Sequence, residues 1–326
     1  MSGRRMVLTG ATGFIGGAVL HELAGHRAAE GRAAGPHVRV VGRRPPAGPT
    51  GGYDEWVAAD LAEPASLRGT CRDADVLLHL ASALGPDAAR CADVNDRGTA
   101  AVMEEARRAG VGRIVHLSTA AVYGPGPHRG IEVDEVAPAP VSPASVSRLA
   151  GERHARAAGA WVLRPGLVVG RGDRWVVPAL AELVRRVPAR WDEGRALLSM
   201  VAVADLARLI ARLAGTDTEP GTFHAGHPLP VRNADVMEVL AEHGVLPAVD
   251  VGLPWDACLD RLRATSGRIG ERQFSLLARD HWYRSDRIWQ LADCPPGPGP
   301  LTALADAAAW YRRLLGAPAE GEAPPA

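Results

Sequence analysis

Arg5-Met6-Val7-Leu8-Thr9-Gly10-Ala11-Thr12-Gly13-Phe14-Ile15-Gly16 is the stretch whose reading decides the fold of this 326-residue chain. An apolar run of strand length leads straight into three glycines, and helical periodicity follows to about Ala24. Gly10 permits a tight turn, Gly13 lets backbone approach a pyrophosphate, and Gly16 lets the helix pack close to the sheet. Free N–H groups at a helix start bind phosphate, so Gly10, Thr12, Gly13, Phe14, Ile15 and Gly16 are the expected heart of a dinucleotide site. Three glycines alone also fit a plain strand–helix turn. The strand before and the helix after give the motif its weight.

Outward from that motif, β-branched runs near residues 38–41, 56–59, 76–80, 113–117 and 161–164 alternate with helical stretches at 14–24, 92–109 and 145–158. Each crossover is long enough for a right-handed parallel connection. The pattern predicts an α/β fold: a Rossmann-type doubly wound parallel sheet with a smaller, mostly helical C-terminal substrate lid. Residues 1–170 are expected to form the dinucleotide-binding domain, with returning segments at about 200–228 and 286–315. Residues 171–199 and 229–285 are expected to form the lid, and the Pro/Ala/Glu-rich residues 316–326 a disordered tail. Further helices are predicted over 176–187, 205–213, 236–243 and 301–315, with a less regular Arg/Trp-rich stretch running to about Trp289.

The formal net charge is zero, which removes the electrostatic case for nucleic acid or an anionic membrane as a partner. No apolar run reaches the ~18–20 residues of a bilayer span. Cys71, Cys91, Cys258 and Cys294 are scattered without a C-x-x-C pair, and no histidine cluster has metal-ligand spacing. Reduced thiols, no metal and a cytoplasmic location are therefore expected. Arg4 and Arg5 ahead of the apolar stretch 6–20 have the outline of an export signal, but the glycines inside it are better used as the phosphate loop. All 37 basic residues are arginine, so an arginine where relatives carry lysine says little by itself.

The second strand chooses the cofactor. An NAD site places an acid at that strand's end to hold the ribose 2′-hydroxyl. Here Val40-Val41 runs into Gly42, Arg43 and Arg44, with no carboxylate before Asp54. Glycine leaves room for a 2′-phosphate and a guanidinium grips it with paired hydrogen bonds, so NADPH/NADP+ is the expected cofactor. The other reading is two solvated surface arginines.

The glycine spacing, Asp60-Leu61, Leu80-Ala81-Ser82, Asn95 with Gly98-Thr99, Ser118-Thr119-Ala120-Ala121-Val122-Tyr123-Gly124 and Arg164-Pro165-Gly166 together resemble the extended short-chain dehydrogenase/reductases of epimerase/dehydratase type. Val203 with Asp205-Leu206-Ala207, and Phe223-His224-Ala225-Gly226, match later blocks, so the resemblance runs to about residue 315. It implies that Asp60 and Leu61 flank the adenine, and that Leu80, Ala81 and Ser82 line the path beside ribose and pyrophosphate. It also implies that Pro165, Gly166 and Val168 lie near the nicotinamide. His79, His116 and Tyr123 are expected to be packed or locally hydrogen-bonded residues. Trp175, Trp191 and Trp255 are candidates to stack on a flat substrate, with buried packing as the competing role.

The family's Tyr-x-x-Ser-Lys-x-x-x-Glu block reads here Ala144-Ser145-Val146-Ser147-Arg148-Leu149-Ala150-Gly151-Glu152. Thr119 fills the Ser/Thr position, but the tyrosine position is Ala144 and the lysine position Arg148. Tyr283 with Arg287 repeats the spacing in a late, irregular region and is read as chance. Reducing an isolated ketone makes an alkoxide that needs an acid at once, and a positioned acid contributes ~10²–10⁴-fold. A ketone bonded to an acidic phenol can instead leave a phenolate, with a pKa near ~10. The expectation is an aromatic polyketide substrate of angucyclinone type that supplies its own proton, with Thr119, Ser82 and Arg148 orienting and stabilising. A nucleotide-sugar reductase or epimerase and a non-catalytic NADPH-binding sensor remain the alternatives.

Overall fold

Continuous apolar runs such as Val76-Leu77-Leu78-His79, buried at every position, are what strands covered on both faces require. Among the described residues seven strands form one parallel sheet in the order Thr222–His224, Trp161–Arg164, Arg113–Leu117, Val76–His79, Arg5–Thr9, His37–Gly42, Glu55–Ala58, the last a half-exposed edge. The computed structural model describes residues 3–30, 35–46 and 52–316. The proposed tail lies, from residue 317 onward, outside the described residues.

The strand order reverses beside Arg5–Thr9: the chain builds outward through His37–Gly42 and Glu55–Ala58, then crosses back to Val76–His79. Such a switch point opens a crevice at the strands' carboxyl ends, where ligands of open α/β sheets bind. On one face Val19 and Leu23 of helix Phe14–Glu30 pack with Leu206, Leu209 and Ile210 of helix Val203–Leu213. On the other, Leu77 and Val162 pack with Val102, Met103 and Ala106.

A second core gathers Trp191, Leu198, Met237, Cys258, Phe274 and Tyr311. It holds helices Val176–Arg186, Asn233–Glu242, Trp255–Arg263 and Glu271–Ala278, the latter two inside the stretch expected to be irregular. Its small sheet uses strands of two to four residues, among them Leu197–Leu198, His281–Tyr283 and His128–Ile131.

Two expectations need correction. The predicted helix 301–315 is two helices, Pro300–Asp306 and Ala308–Leu315. The segment 286–315 also divides: Ile288 and Trp289 enter the core of the large sheet, whereas Leu304, Ala308 and Tyr311 enter the second core. The physical reason is the Pro/Gly-rich run 295–300 between them, which cannot continue a helix and lets the chain change layers. No helix among the described residues is long and apolar enough to cross a membrane. All four cysteines are free and buried.

Candidate active site

A cleft of about 680 Å³ opens at the switch point. Gly10 adopts φ +79°, and a Cβ there would lie 2.6 Å from the Ala81 nitrogen and 2.8 Å from the Leu80 carbonyl carbon. The first and fourth strand ends therefore meet through bare backbone, which only glycine permits. A Cβ on Gly16 would run into the Gly10 carbonyl oxygen. The Gly13 N–H donates to the Gly10 carbonyl at 2.9 Å and closes the turn. The first turn of helix Phe14–Glu30 contains no acid, so its positive end faces the cleft undiminished.

Of the residues expected at the cofactor, Gly10, Thr12, Gly13, Phe14, Ile15 and Gly16 line the cleft. So do Arg43, Arg44, Asp60, Leu61, Leu80, Ala81, Ser82, Arg148, Gly166 and Val168. Pro165 and Thr119 are not part of its lining. Pro165 is turned into the backbone pairing behind it, where its carbonyl accepts from Ala120 N–H at 2.9 Å. The Thr119 hydroxyl caps the turn Ala120–Tyr123, accepting from Ala121 N–H at 3.2 Å. Leu84, Arg90, Leu167, Asp173 and Val176, none of them expected, also line the cleft.

At the second strand, Arg43 and Arg44 are exposed and form no ion pair among the described residues. Asp54 is spent elsewhere, its carboxylate accepting from Val38 N–H at 2.8 Å near the start of that strand. Asp60 accepts from Ala62 N–H and lies 3.7 Å from Arg90. This end of the cleft is cationic. Leu84, Leu167, Val168, Trp175 and Val176 add an apolar wall to the lining. Trp175 is 65% exposed there, whereas Trp191 is fully buried and stands edge-on to Phe274. Trp255 stacks on the other side of Phe274 at 5.3 Å, so both belong to the second core.

Helix Pro143–Ala157 begins with a reciprocal cap between Ser142 and Ser145 and carries Ala144 and Arg148. Ala144 and Arg148 are one turn apart on one face. Arg148 donates through Nη2 to the carbonyls of Leu117 (3.1 Å) and Ser118 (2.5 Å), while its Nε is buried without a partner. Burial brings its guanidinium down to about 10, with Glu152 opposing, so it stays cationic at neutral pH. Asn95 ties this helix to the loop after the fourth strand, accepting from Ala83 N–H and donating to Ser147 Oγ.

Behind the strand ends lies a buried polar network that sequence reasoning missed. Glu152 accepts from Ser118 Oγ at 2.5 Å and from Arg164 through both carboxylate oxygens, at 2.9 and 2.6 Å. Arg164 reaches on to the Tyr123 hydroxyl at 2.7 Å, and that hydroxyl also contacts His224 at 2.8 Å. Burial pushes the Tyr123 phenol up and the His224 imidazole down to about 4. His79 is buried between Thr9 and Thr99 and falls to about 4 for the same reason. His116 stacks on it at 5.2 Å. These residues are structural.

A model of the NAD dependent epimerase/dehydratase family matches residues 6–226. Over 299 residues the chain is 28% identical to the 4-hydroxy-2-methyl-3-oxo-4-farnesyl-3,4-dihydroquinoline-1-oxide ketoreductase of Stigmatella aurantiaca, covering 81% of this chain and 85% of that one. Over 297 residues it is 29% identical to the 2-alkyl-3-oxoalkanoate reductase of Stenotrophomonas maltophilia (strain K279a), covering 84% of each. Among solved structures, MoeE5 in complex with UDP-glucose and NAD aligns with a TM-score of 0.72 at 25% identity, covering 96% of this chain and all of that one. The family match spans most of the chain and takes in the whole glycine motif: the protein belongs to the NAD-dependent epimerase/dehydratase family.

Proposed function

We propose that the protein is an NADPH-dependent ketoreductase of antibiotic biosynthesis that reduces a carbonyl of an angucyclinone-type aromatic polyketide, with a substrate phenol supplying the proton. One observation carries this reading: among the described residues lining the cleft there is no Tyr, His, Cys or Lys. Asp173 lines it, but its carboxylate already accepts from the N–H groups of Trp175, Val176 and Val177. The tyrosine-free reacting position, the all-arginine composition and the NADPH-type second strand resemble the angucyclinone ketoreductase of simocyclinone biosynthesis. Two relatives that cover most of the chain are named as reductases of ketones, one of them of a 3-oxo-dihydroquinoline.

The cleft fits a dinucleotide. Backbone bare of side chains at Gly10 and Gly13 suits a pyrophosphate, and Arg43 and Arg44, exposed at the second strand's end, suit a 2′-phosphate. When bound, the reduced cofactor supplies a hydride to the substrate carbonyl carbon. Arg148 lines the cleft and holds its charge beside the ligand. The carbonyl oxygen takes the neighbouring phenol's proton, and the phenolate left behind is stabilised by that guanidinium. Ser82, on the cleft wall, orients. The apolar wall, with Leu84 and the exposed Trp175, accepts a flat polycycle and offers nothing to the phosphates of a nucleotide-linked sugar. From the lid segments expected at 171–199 and 229–285, Asp173, Trp175 and Val176 reach the cleft.

Replacing Arg43 and Arg44 together by Ala is expected to weaken NADPH binding about 10–100-fold and to leave NADH binding within about twofold. Calorimetric titration checks this, and equal losses for both cofactors would return the two arginines to solvent. The function itself is tested by NADPH consumption at 340 nm. A phenol-bearing polycyclic ketone should be turned over and a nucleotide-linked keto-sugar should not. Turnover of the sugar alone would establish the epimerase-type reading instead, and tight NADPH binding without turnover of either would favour the sensor.

A further inference from the structure

We infer that Ser118 is a positioning residue for Arg148, coupling the buried Glu152–Arg164 pair to the ligand-facing guanidinium; this rests on the reading of the cleft as the dinucleotide site. Ser118 is fully buried at the end of strand Arg113–Leu117 and is used at both of its oxygens. Its hydroxyl donates to Glu152 at 2.5 Å, and its carbonyl accepts from Arg148 Nη2 at 2.5 Å. Its own N–H donates to the Leu163 carbonyl at 2.7 Å, one residue before Arg164. Every polar atom of the residue is therefore committed.

Arg148 and Glu152 stand one turn apart on helix Pro143–Ala157, so the helix is pinned to the strand end at two successive turns through one residue. Glu152 is itself held from the far side by the Arg164 fork, with side-chain exposures of 0% and 2%. The chain of contacts is thus Arg164, Glu152, Ser118, Arg148, and it ends in the cleft. The hydrogen bonds that Arg148 makes among the described residues leave from Nη2, its Nε is closed off from the cleft, and the side chain as a whole still lines the cleft. A planar fork can be anchored through one nitrogen while another is presented to a ligand, which a lysine ammonium at this position cannot do in the same way. Where the family carries lysine, this chain uses a guanidinium whose orientation is set from behind.

The test is a double-mutant cycle on dinucleotide affinity, read by NADPH fluorescence with the full chain. Ser118→Ala leaves Glu152 paired with Arg164 and is expected to raise the NADPH dissociation constant about threefold to tenfold. In the Arg148→Ala background the same change should have no further effect, because the residue it acts through is gone. Equal losses in both backgrounds, or no loss in the parent, would overturn the inference. Thermal unfolding of all four proteins separates the outcomes, since a purely structural role lowers stability by the same amount with and without Arg148. A parent protein that binds neither NADPH nor NADH would overturn the cofactor reading, and this one with it.

Discussion

Methylating the phenol beside the reducible ketone is expected to lower kcat/KM by about 10²–10⁴-fold, the size of a positioned general acid. Among the described residues lining the cleft no Tyr, His, Cys or Lys takes its place. Position 144 is alanine, and Arg148, one turn on, keeps its proton at neutral pH. The Thr119 oxygen is occupied as a turn cap, and Ser82 is an exposed aliphatic hydroxyl at the cleft wall. Neither hydroxyl has a charged partner to activate it, so Thr119→Ala and Ser82→Ala should each stay within about threefold of the parent on the free phenol. A hundredfold loss with either one would place the acid in the protein. The complementary gain is the sharper half of the experiment. Ala144→Tyr with Arg148→Lys rebuilds the family's pair on a helix face where the two positions already lie one turn apart, and should raise turnover of the methyl ether at least about tenfold. Steady-state kinetics on the two substrates decides both halves.

The parts of this site that could be read from sequence are those whose partners are near in the chain. The glycine motif is legible because strand, turn and helix follow within a dozen residues. The network behind them was not legible. Glu152 and Arg164 are twelve residues apart across a helix and a strand, and Tyr123 meets His224 over a separation of 101. No periodicity encodes such pairings. The second core failed for a related reason: strands of two or three residues, such as Leu197–Leu198 and His281–Tyr283, are too short to alternate. Three tryptophans looked alike as stacking candidates, and only burial separates Trp175 at the cleft from Trp191 and Trp255 in the core.

Arg164→Ala is expected to cost about 3–5 kcal/mol of folding stability, because it leaves the Glu152 carboxylate buried without its bidentate partner. What remains to Glu152 is one hydroxyl from Ser118 and a 3.3 Å contact from the half-exposed Arg156, too little to replace a desolvated fork. The Tyr123 hydroxyl loses its 2.7 Å donor in the same step. Urea unfolding measures the loss, and a cost under about 1 kcal/mol would mean that the pair is weakly coupled to the fold. Replacing both partners, Glu152→Met with Arg164→Met, removes the charge as well as its counter-charge and should recover most of the stability. It should not recover dinucleotide affinity. The Ser118 hydroxyl would still have lost its acceptor, and with it the contact that orients the carbonyl under Arg148. A double variant that is stable yet binds NADPH poorly would show that this buried pair is kept for the placement of a ligand-facing guanidinium and not for stability, which an apolar pair supplies equally well.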